Sequence, residues 1–230
     1  MSDRPFADWT ARPRPERVVL EGARIRMEPL DADRHTDPQW DAHRAGDPEG
    51  ALWTYLGYGP FDTREAYHAH IAAQATSTDP LFYAVVPRAT GKALGVMGLM
   101  RIDPANGVIE VGHICLAPGL RRTPEASEAL LLLGNYVFES LGYRRFEWKC
   151  DSANAPSRRA ATRYGFTFEG IFRQHMVTKG RNRDTAWFSI LDGEWPERRA
   201  AFEAWLAPEN FDADGRQRRA LEEIRAANAG

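Results

Sequence analysis

The sequence predicts one α/β domain built on a mixed, mostly antiparallel sheet flanked by helices. Three observations predict it. Residues 81–116 hold three strand-like segments separated by the turn signals RATGK and DPANG, the pattern of an antiparallel meander. Residues 124–141 repeat Leu130, Leu133, Val137 and Leu141 on one helical face, with Gly142 as the stop. RRFEWKCD then alternates Phe146, Trp148 and Cys150 on one side and leads into the short helix NAPSRRAATRYGF, so a strand-helix-strand crossover follows the meander.

The remaining elements follow in order. Residues 1–17 are proline-rich and read as an extended arm, and order is expected from Val18. VVLEGARIRMEPL places a Glu-Gly turn between two alternating runs, a hairpin signal. DADRHTDPQWDAHRAG is expected to be a short helix that Pro38 interrupts. DTREAYHAHIAAQATS is a second helix, with Asp62 as N-cap and Glu65 completing a box-like pattern. In the later helix Asn154 is the cap, Pro156 sits in the first turn and Gly165 ends the element. FTFEGIFRQHMVTKGRNRDTAWFSIL supplies two long strands around a KGRN turn, and two terminal helices follow. The expected division is an arm over 1–17, a domain over 18–206 and a helical extension over 207–230.

Composition excludes several classes of function. Thirty Lys plus Arg stand against 32 Asp plus Glu, so no basic field argues for nucleic acid and no acidic block for a disordered tail. With seven Trp, seven Tyr and 11 Phe the chain can build a sizeable core. No apolar run is long enough for a membrane span or export signal, and the expected location is the cytoplasm. Cys115 and Cys150 lie in separate strand-like runs without C-x-x-C spacing, which fits packed thiols in a reducing compartment and gives no metal signature.

LAPGLRRTPEA, directly before the apolar helix, is a turn with two arginines at a helix N-terminus, a sensible anion cradle. Together with NAPSRRAATRYGFTFEGIFRQ it resembles the GCN5-related N-acetyltransferase (GNAT) superfamily, and most of all its Rim-type branch, which modifies ribosomal-protein N-termini and small amines. The resemblance extends from about Val18 to Pro196. It implies the GNAT fold, with splayed fourth and fifth strands over Ile109–Leu116 and Arg145–Asp151, and acetyl-CoA as co-substrate without a metal. The family's pyrophosphate pattern Q/R-x-x-G-x-G/A falls on Arg121, Arg122, Thr123, Pro124, Glu125 and Ala126, with proline where the central glycine is usual. Proline removes one donor, but at a first helical position that N–H is unpaired anyway. The implied coenzyme contacts are Ile114, Cys115, Leu116, Arg121, Arg122, Thr123, Glu125, Ala126, Asn154 and Ser157. Thr123 as a plain helix cap with solvated arginines is the competing reading.

Many relatives carry a tyrosine seven residues after the Asn154 position as the acid for the departing thiolate. Here that residue is Ala161, and the resemblance to the Rim-type branch implies Ser157 in its place, whose hydroxyl would stabilise a thiolate by hydrogen bonding; Asn154 as a plain cap with Ser157 an ordinary helix residue is the other reading. An ammonium has no lone pair, so the acceptor must lose a proton. The resemblance places Glu110 at a strand position used for this, while His113, on the opposite side by simple alternation, and His175 are the other candidate bases. A glutamate that some Rim-type relatives use is Met176 here. LWTYLGYGPF, with Trp53, Tyr55, Tyr58 and Phe61, falls where the family builds one wall of the acceptor pocket; packing anchors are the other reading of these rings. KGRNRD reads as a charged hairpin turn that could steer an acidic acceptor. The expected activity is direct acetyl transfer to a primary amine, first of a small molecule. The alternatives are a protein N-terminus as acceptor, or a non-catalytic acyl-CoA-binding module. Family habit allows a homodimer.

Overall fold

A computed structural model describes residues 8–228. The strands are β1 (Leu20–Glu21), β2 (Ile25–Pro29), β3 (Leu81–Pro87), β4 (Gly95–Asp103), β5 (Val108–Leu116), β6 (Arg145–Asp151), β7 (Thr167–Thr178) and β8 (Arg181–Leu191). They form one sheet in the order β1-β2-β3-β4-β5-β6-β8-β7. β5 and β6 run parallel, and the other neighbouring pairs are antiparallel. The crossover between the parallel strands is α3 (Pro124–Asn135), continued by one wide turn over Tyr136–Ser140. The other helices are α1 (Ala32–Gly46), α2 (Arg64–Thr76), α4 (Ala155–Arg163), α5 (Trp195–Leu206) and α6 (Leu221–Asn228).

Each face of the sheet has its own core. On one, Leu130 and Leu133 of α3 and Val137 of the wide turn after it pack with Ile109, Val111, Phe146, Trp148 and Phe188, and with Phe202 of α5. Burial of each such side chain contributes about 1.5–3 kcal/mol. On the other, α1 and α2 cover Phe82, Ala84, Val96 and Cys115 with Tyr67, Ile71 and Trp53. Glu128 of α3 ties the β1–β2 turn down by accepting from the backbone of Ala23, Arg24 and Ile25 at 3.0, 2.7 and 2.9 Å. The arm before β1 lies along the domain: Trp9 Nε1 donates to the Ala105 carbonyl at 2.7 Å, and the Glu16 N–H to Tyr136 Oη at 2.8 Å. Its first seven residues lie outside the described part. At the other end, Leu221 and Ile224 of α6 are buried in the α3-side core. No described helix is long and apolar enough to cross a membrane.

Two local expectations are corrected. Pro38 does not interrupt α1, which runs through it. The Asp31 side chain caps the helix start at 2.9 Å, and burial of His35, Thr36, Gln39 and His43 holds it on both sides of the proline. The cap of α2 is Thr63, which accepts from Ala66 N at 3.2 Å, in place of Asp62; the helix begins one residue later, where Arg64 reaches Asp37 and Asp41 of α1.

The α1/α2 layer buries titratable groups. Desolvation lowers the imidazoles of His43 and His70 to about 4, with nearby Arg121 and His113 acting in the same direction on His43 and His70 respectively. In the unfolded chain both take up protons near 6.5. The stability gained from burying them neutral is therefore complete above about pH 6.5, and it is lost as the pH falls from there toward about 4. His43→Gln is expected to lose less stability than the parent between pH 7 and pH 4.5, by on the order of 2 kcal/mol. Urea midpoints at the two pH values measure it; equal losses in both proteins would count against the imidazole.

Candidate active site

The parallel ladder between β5 and β6 is short. It runs from Val108–Arg145 to Val111–Trp148 and stops. Beyond it both strands continue, but with other partners: Gly112, Cys115 and Leu116 pair with β4, while Lys149, Cys150 and Asp151 pair with β8. The two strands therefore part, and their facing backbone groups have no ladder partner, although buried N–H and C=O groups require one.

A bulge in β5 shapes this opening. Partners jump from Gly98–Gly112 to Val96–Cys115, setting three steps of β5 against two of β4, and His113 takes φ 50. The extra residue overturns the expected side of His113. Its ring stacks on Tyr58 at 5.6 Å and meets Phe82 at 5.1 Å, on the same sheet face as Glu110. Desolvation lowers its pKa, and Arg101 adds to the effect.

At the α3 end, Thr123 is the cap: its Oγ1 accepts from Ala126 N at 3.3 Å and donates to the Leu120 carbonyl at 2.8 Å. Pro124 occupies the first helical position, with Glu125 in the same turn. Arg121 folds back, its Nε donating to the Leu116 carbonyl at 3.0 Å. Arg122 is exposed at φ 63 and makes no ion pair among the described residues. Ile114 and Leu116 border the α3-side core, whereas Cys115 lies in the other core, its thiol pushed up to about 12 by burial.

Asn154 caps α4, with Oδ1 accepting from Ser157 N at 3.1 Å. Ser157 Oγ accepts from Trp148 Nε1 at 3.0 Å, which leaves its own proton as the donor of the group. In the structure the Cys150 thiol lies within its reach. Trp148 closes the ladder and Cys150 lies just beyond, so Ser157 stands at the rim of the opening on the α3 side.

The opposite rim is charged. Glu110, 4% exposed, lies 3.0 Å from Lys149 Nζ and 3.0 Å from Arg101 Nε. Desolvation raises its pKa against the pull of both cations. Lys149, whose side chain is 5% exposed, also meets Glu147 at 2.6 Å and sits 3.8 Å from the Trp187 ring centre. Trp187 stacks on exposed Phe172 at 4.4 Å. His175 shares this face, with Nδ1 2.9 Å from Thr185 Oγ1, but Trp187 and Lys149 stand between it and Glu110.

The aromatic loop roofs this face and is pinned on two sides. Lys179 Nζ, in the β7–β8 turn, donates to the carbonyls of Trp53 and Gly59 at 2.8 Å each. Tyr55 Oη donates to the Ala153 carbonyl, between β6 and α4, at 3.2 Å. Tyr58 Oη lies 3.3 Å from His113 Nδ1. Trp53 is 6% exposed and, with Phe61, Trp40, His43 and Tyr67, lines a cavity of about 230 Å³. Lys149, Trp187, Phe172 and Arg101 escaped sequence reading because only register brings Lys149 opposite Trp187, and Arg101 lies in an irregular step of β4, at φ 49, that its own strand does not signal.

Residues 24–167 match the acetyltransferase (GNAT) domain family. The chain belongs to that family. A crystal structure of a GCN5-related N-acetyltransferase from Brucella melitensis superposes on this GNAT chain with a TM-score of 0.93 at 54% identity, covering 95% of this chain and 99% of the other. An uncharacterized N-acetyltransferase, p20, of Bacillus licheniformis is 33% identical over 113 residues, 49% of this chain and 63% of that protein. A putative ribosomal N-acetyltransferase, YdaF, of Bacillus subtilis (strain 168) is 29% identical over 105 residues, 46% of this chain and 57% of that one. The matched stretch thus spans less than two thirds of either Bacillus relative. The family's divergent central strands correspond here to β5 and β6, one number later than expected because the β1–β2 hairpin adds a short strand.

Proposed function

We propose that this chain is an N-acetyltransferase that moves the acetyl group of acetyl-CoA directly to a primary amine of a small molecule. The observation that carries this reading is an opening between β5 and β6 with Ser157 on one rim and Glu110 on the other. Acetyl-CoA supplies an acyl carbon activated as a thioester. The chain's residues suit it: β5 backbone from Gly112 onward that has no ladder partner on its β6 side for the amides of its arm, and the Arg121–Ala126 turn for its phosphates.

Glu110 accepts one proton from the acceptor ammonium, directly or through one water, which frees the nitrogen lone pair to attack the acyl carbon. Ser157 donates a hydrogen bond to the sulfur as the C–S bond breaks, stabilising the charge that develops there. The second proton leaves the new amide nitrogen and ends on the thiolate, giving the free thiol. Neither Cys115 nor Cys150 enters as a nucleophile, because burial raises the pKa of both and keeps them as thiols. Residues 18–206 form the catalytic unit in this reading, and α6 beyond them packs back onto it through Leu221 and Ile224.

A small acceptor is favoured by the roof: a loop clasped by Lys179 on one side and Tyr55 on the other limits the width of the groove. A protein N-terminus is the second acceptor class, favoured by the naming of the Bacillus subtilis relative. Release of coenzyme thiol, assayed with a panel of aromatic amines, polyamines and short peptides, tests both. Turnover of peptides alone would overturn the small-molecule reading. Binding of acetyl-CoA with no turnover of any amine would overturn catalysis and leave a sensor.

The phosphate role has its own expected result. Arg121→Ala with Arg122→Gly, the glycine chosen to keep the left-handed backbone, should raise KM for acetyl-CoA about ten- to a hundredfold, the value of one charge-assisted contact. KM for the amine should hold. Equal change in both would remove the cradle.

A further inference from the structure

Lysine is almost never fully buried unless paired, and the Lys149 side chain is 5% exposed. Its place is unusual in another way. Lys149 is the first residue of β6 after the ladder to β5 ends, on the face that carries Glu110. Its ammonium lies between two carboxylates, 3.0 Å from Glu110 and 2.6 Å from Glu147, with the Trp187 ring above it at 3.8 Å. Glu147 has a second cation in Arg145, at 2.7 Å, and Arg145 is itself held by Glu169. Glu110 has a second cation in Arg101, but the Arg101 side chain is 47% exposed, so solvent screens much of its field. The buried countercharge to Glu110 is Lys149.

We infer that Lys149 is a positioning residue for acetyl transfer, holding the Glu110 carboxylate ionised and aimed at the opening between β5 and β6. The inference rests on Glu110 being the base of the proposed reaction. A buried carboxylate without its cation takes up a proton in preference to staying charged, and a protonated Glu110 cannot accept another from the amine. The groups facing Glu110 are Arg101 from β4, Lys149 and Glu147 from β6, and His113 further along β5. Lys149 and Arg101 favour the carboxylate. Glu147 opposes it, both through its own charge and by sharing the lysine.

This arrangement predicts opposite signs for two variants. In Lys149→Met the acid limb of kcat against pH should move up by about 1 to 3 pH units, the range an adjacent opposite charge commands. Activity falls at pH values along the shifted limb, recovers at higher pH, and KM for acetyl-CoA stays unchanged, since Lys149 faces the acceptor side. In Glu147→Gln the lysine belongs to Glu110 alone, and the limb should move down. Lys149→Arg keeps the charge and should keep the limb close to that of the parent. If Lys149→Met does not fold, Glu147→Gln and Lys149→Arg carry the test.

A merely structural lysine lowers Tm and expression while leaving the limb where it was, and that result overturns the inference. Glu110→Gln separates the two levels. If it flattens the acid limb while the Lys149 and Glu147 variants leave theirs in place, only the positioning role falls. If Glu110→Gln leaves the limb intact, Glu110 is not the base and both readings fall together.

Discussion

Replacing Ser157 by alanine lowers kcat about a hundred- to a thousandfold, the range seen when one donor to a developing charge is removed, and leaves KM for acetyl-CoA close to the parent value. The geometry makes this split specific. Ser157 has one hydroxyl hydrogen to donate; its oxygen is already an acceptor for Trp148 Nε1 at 3.0 Å, and its backbone N–H is held by Asn154. That indole fixes the hydroxyl oxygen, and the proton, which has the Cys150 sulfur within reach, can turn from it to the coenzyme sulfur. The interaction strengthens only as charge develops, which places its loss in kcat and not in binding. Alanine also leaves a mostly buried indole N–H without an acceptor, at a cost of about 1–3 kcal/mol in stability. Trp148→Phe controls for this: it keeps the hydroxyl but frees its rotation, and kcat should fall less than in Ser157→Ala. If binding and turnover fell together in Ser157→Ala, the serine would matter to the start of α4 and not to the sulfur.

Trp53→Ala should be the most destabilising single change in the aromatic loop, by about 3–5 kcal/mol, the usual result for truncating a buried aromatic. At roughly 2–4 °C per kcal/mol for a chain of this size, Tm falls by roughly 10 °C. Its ring meets His43, Tyr58, Phe61 and Tyr67 at centroid distances of 5.3 to 6.1 Å, and its carbonyl holds Lys179. The loss of activity should accordingly be the same for every amine offered, because the whole roof loosens. Tyr55, 37% exposed at the edge of the groove, is where acceptor preference should change: Tyr55→Ala alters relative rates across an amine panel with little change in Tm. The reverse pattern, a selective Trp53 variant and a uniform Tyr55 variant, would exchange their roles. Burial at 6% exposure favours, for Trp53, the packing-anchor side of the two readings its sequence left open.

The elements that sequence alone determined are those whose cause is local. Thr123 followed by Pro124 can cap and start a helix wherever it stands, because the cap bond and the fixed φ of proline involve neighbours only. Asn154 caps α4 for the same reason, and the meander of β3, β4 and β5 follows from alternation punctuated by turns. The motifs also carried the family and the identity of Glu110 and Ser157 as candidates. Tertiary structure alone decided the surroundings in which those candidates act. One extra residue in β5 turns His113 to the face of Glu110, and nothing within that strand signals a bulge that exists only against its partner. Register alone sets Lys149 beside Glu110 and opposite Trp187. The clasps from Lys179 to Trp53 and from Tyr55 to Ala153 join residues 126 and 98 positions apart. Periodicity records which side of its own element a residue faces; what meets it there depends on how distant segments pair, and a buried lysine between two glutamates is stable only once that pairing exists.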